Sequence, residues 1–545
     1  MDPALHDVDS DAPPSGVVAV RYSATCNSDD DGSVPLQPGR YLVLVTAGPD
    51  FDHVQQLVDV GTTAARVEGT LHRVVEHPGY VSSDWHQHTV NSPDAPITLR
   101  DRLVSYLAEG IVLFGGSDHD VVTDWERLVA EYGFSTLVQA INGVEATPFD
   151  QGHFNIFPLT VEADKVNGGA VDWAGGEGPN LAPPQMWAAY RQKGAQVIQV
   201  NHPRSLGGGF QNYFDRAALT FSFNLTTYTG EAAGDVAAQP ATNEAMRLPP
   251  LEPMWSAAFD AVEVYNGTTV YPGPPATRRV GDRKADRILL DVGNLTLVGH
   301  RPVMLGTSDT HTLKKGENGY PRSYVRAALD AQGQVDRQEV LGALAGLGDA
   351  QNRGDVVVSN GPIPLVTVRA GAGVASPGGL LAVADGALTV HVELQAPPWM
   401  KVSRVELLVS PHALSGVDES NPTLPVAASQ DLPAATVETL PNGGSRQTWT
   451  VDVQLDLNAT NPFAGKDATV LVRLVGHEVL WPVMLERVAL TVDENASTAE
   501  EFAVITNGVT AFALTNPVYV DVDGDGRFTG AFESPLDLPL PPGPR

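Results

Sequence analysis

The sequence has a single cysteine, Cys26, among its 545 residues, so an intramolecular disulfide is excluded. Cysteine usage therefore gives no indication of the redox compartment. Long apolar runs are also missing, because none approaches the ~18–20 residues that cross a bilayer. We expect no membrane span.

Basic residues are scarce, with 34 Lys and Arg against 65 Asp and Glu, and the formal net charge is −31. A surface of this sign repels phosphate backbones, so no long nucleic acid is expected as a partner. The expected partner is a small-molecule substrate. Composition leaves the oligomeric state open.

The first residues, 1–15, are acidic, contain proline and have no periodicity, which predicts a disordered start. They lack the basic and apolar segments of a secretory signal, so the chain is expected to be cytoplasmic if Met1 is the true start. The segment from Gly16 is typical of the end of a β-module and not of its beginning. The second expectation is therefore a truncated form of an exported protein, either periplasmic or extracellular.

A chain of this length predicts about two to four domains. Short β-branched runs in residues 16–80 predict a small N-terminal β-module, and alternation of helix and strand follows over 81–355. Alternating apolar residues over 356–545 predict a C-terminal β-sandwich. An insertion rich in glycine, aromatic residues and alanine at 205–255 is interpreted as a lid. The predicted class is multidomain α/β plus β.

Local signals place the helices of the α/β region. Thr98 with Asp101 three positions later predicts a helix N-terminus, and Gly110 predicts its end. A second helix is predicted from Asp124 to Tyr132. Strands are predicted to follow each helix, so polar residues at the strand ends are expected to converge on one face.

The central motif is His86-Gln87-His88, which follows a short apolar run. Two histidines two residues apart lie on the same side of a strand, where both can bind one metal ion. Further metal-binding residue types recur near predicted strand ends: Asp94, His119, Glu145, His153, His202, Asp309 and His311. Imidazole and carboxylate ligands without thiolate favour zinc, manganese or iron.

This series resembles the PHP (polymerase and histidinol phosphatase) superfamily, whose site runs His, His, Asp, His, Glu, His, His, Asp, His along the chain. The stretches GVEATP, GHFNIFPL, VIQVNHPR, DAVEVYNG and GTSDTH resemble the CehA/McbA branch, metallohydrolases associated with carbamate and ester cleavage. The resemblance covers roughly residues 80–330. It implies that residues 81–355 form a distorted (β/α)7 barrel with two or three divalent metal ions.

By the same resemblance, Glu145 is expected to bridge two cations and to act in catalysis. Asp118 and Asp120 flank His119, and one of them is expected to orient a ligand imidazole; Asp118 is the catalytic candidate. Arg204 follows His202 and has two interpretations. It either stabilises an anionic transition state and binds substrate, or forms a structural salt bridge.

Glu263 and Asn266 lie in VEVYNG, close to where a substrate pocket is expected. Asn266 is the substrate-binding candidate of the two. The alternative is hydrogen bonding at a strand end, and the sequence leaves both interpretations open.

A separate acidic loop near the end of the chain has the carboxylate spacing of a calcium site. Asp521, Asp523 and Asp525 occupy its first, third and fifth positions, and Gly526 the sixth. The twelfth position is Phe532 instead of a bidentate glutamate. Calcium at this loop and a polar turn without an ion are both retained as interpretations.

These features predict a hydrolase in which a metal-activated water or hydroxide, at a di- or trinuclear site, cleaves a small ester or carbamate. The first alternative is a phosphoesterase acting on phosphomonoesters or phosphodiesters. The second is of another class, a non-catalytic metal-containing protein that binds a surface or polymer.

Overall fold

The computed structural model describes residues 36–176, 178–204, 212–215, 223–224, 229–230, 247–248, 254–267, 280–312, 318–331, 333–345, 353–410, 424–480, 489–493, 495–507 and 509–530. Within these ranges strands in several sheets outnumber the helices, which confirms the multidomain α/β plus β class. The predicted disordered start at 1–15 lies outside the described residues. So does most of the predicted lid at 205–255.

The described helices are α1 (Leu99–Ala108), α2 (Trp125–Glu131), α3 (Pro183–Gln192), α4 (Val280–Leu295), α5 (Arg337–Ala345), α6 (Leu457–Thr460) and α7 (Ala499–Phe502), with 3-10 turns at Val166–Gly169 and Thr296–Val298. Among them, none combines the length and the apolar character that a bilayer span requires.

The strands of the first two thirds of the chain are β1 (Gly39–Val45), β2 (Val54–Val60), β3 (Tyr80–Asp84), β4 (Leu113–Gly115), β5 (Gln139–Ile141), β6 (Val144–Ala146), β7 (Phe154–Phe157), β8 (Val197–Val200), β9 (Phe223–Asn224), β10 (Thr229–Gly230), β11 (Ala261–Asn266), β12 (Val303–Thr307), β13 (Arg322–Arg326) and β14 (Val356–Ser359).

The remaining strands are β15 (Ile363–Ala370), β16 (Gly373–Ala375), β17 (Leu380–Ala382), β18 (Ala387–Ala396), β19 (Arg404–Ser410), β20 (Ala428–Asp431), β21 (Thr436–Thr439), β22 (Ser445–Asp456), β23 (Ala468–Val479), β24 (Ala489–Val492), β25 (Ala503–Asn507), β26 (Thr510–Thr515) and β27 (Val518–Asp521).

The described part of the N-terminal region contains an antiparallel hairpin. β1 pairs with β2 in the register Gly39↔Val60. The segments on either side of β2 contact the C-terminal region. The Trp399 indole donates to the carbonyl oxygen of Phe51, which precedes β2, at 2.9 Å. The Asn442 amide likewise donates to the carbonyl oxygen of Arg73 at 2.9 Å.

The helix signals in the sequence act as expected. The Thr98 hydroxyl accepts a hydrogen bond from the Asp101 amide and so caps α1. Gly110 follows the end of the helix with φ of 69°, a conformation that favours glycine. The Asp124 carboxylate caps α2 in the same way.

Two sheets surround the region of the predicted ligands. One carries β13, β3, β4 and β5 side by side, with β3, β4 and β5 parallel. The other has the order β12-β11-β8-β7-β6, in which β7 is antiparallel to both of its neighbours. Isolated parallel bridges join the two sheets, Gln87 to Thr310 and His119 to Glu145. The first bridge brings His86 and His88 close to Asp309 and His311, and the second brings His119 close to Glu145.

The core beneath this region is close-packed. Trp85, immediately before the His86-Gln87-His88 motif, is fully buried, and its ring packs edge-on against that of Phe157 with 5.4 Å between the ring centroids. Gly143, two residues before Glu145, lies against the same Phe157 ring, so a Cβ there would overlap the ring. Close packing under the loops fixes the backbone that carries the ligands.

The C-terminal strands form two sheets that share one apolar core. Alternate residues of β18, namely Leu388, Val390, Val392 and Leu394, are buried as predicted. One sheet has the order β16-β15-β18-β22-β21, and the other contains β17, β27, β23 and β26. The second sheet continues through β14, which pairs with both β26 and β13. The predicted domain boundary near residue 356 therefore falls inside a continuous sheet.

A single side chain reinforces this junction. Asn516 is buried, and its amide oxygen accepts from the Met304 backbone N–H at 2.8 Å. Its amide nitrogen donates to the carbonyl oxygens of Met304 at 2.9 Å and Val356 at 3.1 Å. One residue of the C-terminal region thus pairs with β12 as another strand would.

Replacing Asn516 by alanine is expected to lower the free energy of unfolding by about 2–3 kcal/mol, because buried backbone groups of Met304 lose their partners. Urea unfolding measures the loss. The matched control is Asn495→Ala at an exposed asparagine, which is expected to change little. Equal stability of the two variants would contradict a connecting role for Asn516.

Candidate metal centre

The nine predicted ligand residues lie together where the two sheets meet. Three groups of three have ligand atoms within 4.8 Å of one another. The groups are His86, His88 and Glu145; then Glu145, His153 and His202; then His88, His119 and His311. Because they share members, they form one continuous centre. Side chains in such groups could bind metal ions.

The inner group has the spacing of atoms that share one ion. His86 Nε2 lies 3.3 Å from Glu145 Oε1 and 3.4 Å from Asp309 Oδ1. His88 Nε2 lies 3.5 Å from Glu145 Oε2 and 3.3 Å from Asp309 Oδ1. Donor atoms bound about 2.0–2.2 Å from a tetrahedral ion are roughly 3.3–3.6 Å apart. The side-chain positions therefore fit a divalent cation.

The outer group is open on one side. Asp94 Oδ2 lies 3.4 Å from Nε2 of both His119 and His311. The Asp94 side chain is 55% exposed and that of His311 is 25% exposed, whereas His86 and His88 are fully buried. Solvent and small molecules can therefore reach the centre from the Asp94 side.

The third group lies where the adjacent ends of β7 and β8 meet. His153 immediately precedes β7, and His202 follows the end of β8. His153 Nδ1 is 3.3 Å and His202 Nε2 is 3.7 Å from Glu145 Oε1. Glu145 thus has one oxygen facing this pair and takes part in the inner group as well. Such a position is the one expected of a bridging carboxylate.

Three imidazole nitrogens supply independent evidence that the centre fits cations. The Nε2 atoms of His86, His88 and His153 are buried and have no hydrogen-bond partner among the described residues. A buried polar atom without a partner is costly and requires an explanation. A divalent cation coordinated by these atoms removes the cost.

The protonation of two histidines follows from their partners. Ser92 Oγ donates to Asp118 Oδ1 at 3.0 Å, so it must accept the proton on His88 Nδ1, also at 3.0 Å. His86 Nδ1 donates to the Glu263 carboxylate at 2.6 Å. In both rings the proton is held at Nδ1, which leaves the Nε2 lone pair directed at the centre.

The electrostatics of the centre favour a positive charge. Burial alone would raise the pKa of Glu145, but nearby imidazoles, chiefly His86, hold that pKa well below its usual value. Burial would lower the pKa of His86, yet Asp309 and other carboxylates raise it well above its usual value, so that without a cation the ring itself would carry the positive charge. Burial lowers the pKa of His88, so that its ring is neutral, as metal binding requires.

Two of the predicted ligands have strained backbones. His202 has φ of 26° and Asp309 has φ of 48°, both in the left-handed region that side chains other than glycine rarely adopt. Strain of this kind persists only where surrounding contacts impose it, and it concentrates at functional sites.

The acidic neighbours of His119 organise loops. Asp118 is buried and accepts from the Thr89 amide, the Thr89 and Ser92 hydroxyls and the Thr123 hydroxyl. It therefore acts on His88 through Ser92, in keeping with the predicted orienting role. Asp120 accepts from Trp173 Nε1 at 2.8 Å and from the Thr147 amide at 3.1 Å.

Arg204 has the contacts of a structural salt bridge. Its Nε and Nη2 donate to the two carboxylate oxygens of Asp291 at 2.7 and 3.0 Å. Its Nη1 donates to Asp215 at 3.0 Å, and the residue is 1% exposed. Of the two interpretations left open by the sequence, the geometry favours the structural one over substrate binding.

Asn266 hydrogen bonds to the acidic side chains. Its amide nitrogen donates to Glu263 Oε2 at 3.1 Å and to Asp309 Oδ2 at 3.0 Å. The residue is buried. These contacts favour the strand-end interpretation over the predicted substrate-binding role.

In the calcium candidate, Asp521 and Asp523 lie beside Asp467, and the three could hold a metal ion. Asp525 is not part of this group. Asp521 already accepts from the backbone amides of Gly524 and Gly526, at 2.6 and 2.9 Å. These bonds describe a polar turn, and both earlier interpretations stay open.

Some contributing residues were not predicted. Ser92 holds His88, and Thr147 Oγ1 lies 2.8 Å from His119 Nδ1. Both are hydroxyl residues in the turns that follow predicted ligands, and that proximity is the signal that could have found them. Comparison of the sequence with models of known protein families and with curated proteins gives no match in either case. The resemblance to the PHP superfamily rests on the quoted motifs.

The wild-type chain is expected to retain at least about two equivalents of zinc, manganese or iron after chelator-free purification. His88→Ala is expected to lose at least about one equivalent, because His88 belongs to two of the three groups. Elemental analysis measures both. The control His391→Ala removes a histidine on β18 that pairs with Asp452. Equal metal content in the two variants would contradict the assignment of His88.

Arg204→Ala is expected to destabilise the fold by about 3–5 kcal/mol, because Asp291 and Asp215 are left buried without their cation. Chemical unfolding tests this. Arg404→Ala is the control, since its pair with Asp431 is exposed and exposed ion pairs contribute little to stability. If Arg204→Ala keeps full stability but loses substrate affinity, the substrate-binding interpretation is correct instead.

Proposed function

We propose that this chain is a metal-dependent hydrolase that cleaves a small ester or carbamate, with two or three divalent cations at the centre described above. The proposal includes membership of the PHP superfamily, near its CehA/McbA branch. Residues 81–355 would then form the distorted (β/α)7 barrel of that superfamily.

One observation carries the proposal. Nine side chains were selected from the sequence by residue type and order alone, across more than two hundred residues, and all nine meet at one place in the fold. Surface histidines and carboxylates have no reason to converge in this way. The buried imidazole nitrogens without hydrogen-bond partners support metal binding as the reason for this convergence.

The arrangement of strands supports the barrel part of the proposal. Two parallel bridges, Gln87 to Thr310 and His119 to Glu145, join the chain just beyond β3 and β4 to the two edge strands of the other sheet, β12 and β6. A sheet that meets its neighbour at both of its edges approaches a closed barrel. The antiparallel β7 would be part of its distortion.

Divalent cations bound here would lower the pKa of a coordinated water toward ~7 and would polarise the carbonyl or phosphoryl oxygen of the substrate. The chain's own residues hold the ligands ready for this chemistry. Ser92 and Glu263 keep the protons of His88 and His86 on Nδ1, away from the centre. The exposed Asp94 side admits substrate, and the buried side excludes bulk water.

The contacts of Arg204 bear on the substrate. A phosphomonoester dianion usually meets several cationic donors. Arg204, the cation nearest to the ligands in the sequence, is committed to Asp291 and Asp215. This favours a neutral ester or carbamate over the phosphoesterase alternative. A non-catalytic binding protein has no need of an open side on its metal centre.

Zinc- and manganese-loaded protein is expected to cleave a neutral aryl ester or aryl carbamate at least as efficiently as p-nitrophenyl phosphate, because a neutral substrate needs no cationic clamp. Steady-state kinetics give kcat/KM for each substrate on the same samples. Asp309→Asn is expected to lower kcat/KM by more than about 100-fold, beyond the usual effect of a residue outside the ligand set.

The control for Asp309→Asn is Asp452→Asn, the same change at an exposed carboxylate on β22. It should leave kcat/KM unaltered. Strong preference for the phosphate monoester would favour the phosphoesterase alternative. Absence of turnover on all three substrates, in protein that holds its metal, would favour the non-catalytic one.

A further inference from the structure

A further buried carboxylate, Glu263, lies beside the metal centre without joining any of its three groups of ligand atoms. It is 1% exposed and lies on β11, between β8 and β12. A buried ionised carboxylate is retained only where its charge is fully compensated. The contacts of Glu263 show how that compensation is made.

Five hydrogen-bond donors surround the carboxylate. Oε1 accepts from His86 Nδ1 at 2.6 Å, Thr307 Oγ1 at 2.8 Å and Gln199 Nε2 at 3.1 Å. Oε2 accepts from the His202 backbone N–H at 2.6 Å and Asn266 Nδ2 at 3.1 Å. A carboxylate has about four lone-pair sites, so Glu263 is saturated and has no capacity left to bind a metal ion.

These donors lead to ligands of different groups. His86 belongs to the inner group, and His202 to the group between β7 and β8. Asn266 Nδ2, held by Glu263, also donates to Asp309 at 3.0 Å. Glu263 therefore contacts two predicted ligands directly and a third through one intervening amide.

The contact to His202 also explains a strained backbone. With φ of 26°, His202 is held in a conformation that residues other than glycine rarely adopt. Its N–H donates to a charged acceptor at short distance, and hydrogen bonds to charged groups are the stronger kind. The carboxylate thus maintains the turn that directs the His202 ring at Glu145.

We propose that Glu263 is the positioning residue of the metal centre, which holds His86 in its Nδ1–H form, fixes the His202 turn and, through Asn266, fixes Asp309. The inference rests on the proposed metal-dependent function. It adds that ligands from separate strands are aligned by one carboxylate that never touches the metal ions.

Glutamine at this position separates hydrogen bonding from packing. Glu263→Gln keeps the size and shape of the side chain but replaces one acceptor oxygen by a donor NH₂. All five partners are donors, so either orientation of the amide places donor against donor. If the amide faces His86, the proton on Nδ1 loses its acceptor; if it faces the His202 backbone, the turn loses its anchor.

The test uses full-length protein loaded with zinc and titrated with a chromophoric chelator, together with circular dichroism and Tm. Glu263→Gln is expected to bind zinc about 10–100-fold more weakly, the range for groups that orient metal ligands. Glu406→Gln is the matched control. It makes the same change at a buried glutamate on β19, which is paired with Arg473, and should leave zinc affinity unaltered.

The outcomes separate the two proposals. Wild-type protein that binds no zinc, and no manganese or iron in its place, overturns the proposed function. Wild-type protein that binds zinc, with Glu263→Gln binding it within threefold as tightly, overturns the positioning role of Glu263. A Tm loss matching that of Glu406→Gln, with zinc affinity lost only in Glu263→Gln, supports the positioning role.

If Glu263→Gln does not fold, Asn266→Ala replaces it as the test variant. Weaker zinc binding by Asn266→Ala supports the positioning role of Glu263, and unchanged binding overturns it.

Discussion

The arrangement of the centre depends on the burial of one carboxylate, Glu145. It is fully buried, and five imidazoles lie within 2.7–3.7 Å of its oxygens: His86, His88, His119, His153 and His202. Moving a single carboxylate out of water costs several kcal/mol even after relaxation. The fold therefore has to supply positive charge around it. Histidines alone supply that charge only when protonated, whereas histidines that hold a cation supply it at any pH where the cation stays bound.

Each of these imidazoles in turn needs a fixed orientation, because a freely rotating ring neither compensates the carboxylate nor holds an ion. Ser92 orients His88 from within the same loop, whereas the partners of His86 and His119, Glu263 and Thr147, come from distant parts of the chain. The two sheets must therefore meet in one register. Their bridges occur at Gln87, Thr310, His119 and Glu145, within or beside the ligand motifs. The residues that join the two sheets are therefore the ligand candidates themselves or their immediate neighbours.

The sequence predicted what depends on local chemistry. Thr98 and Asp124 cap helices because a side-chain oxygen at the start of a helix can accept hydrogen bonds from backbone amides that have no partner within the helix. The nine ligand candidates were found because residue type and order suffice to recognise them, although their role stays a prediction. The antiparallel β7, the sheet continuing through β14 and the identity of Asp291 as the salt-bridge partner of Arg204 were not predicted. Each depends on contacts between residues far apart in the chain, which no local pattern records.

The negative charge of the chain affects which ions and substrates can approach the metal centre. The chain carries a formal charge of −31, and Asp94, the most exposed of the ligand candidates, places a carboxylate on the open side. A divalent cation approaching that side is attracted over the range of a Debye length, about 8 Å at physiological ionic strength. A phosphate dianion is repelled by the same carboxylates, so that only bound cations would attract it, and Arg204 is not available to add to that attraction because it is buried against two aspartates. A neutral ester or carbamate feels neither force. Within the proposed function, the electrostatics that favour metal binding therefore also favour a neutral substrate.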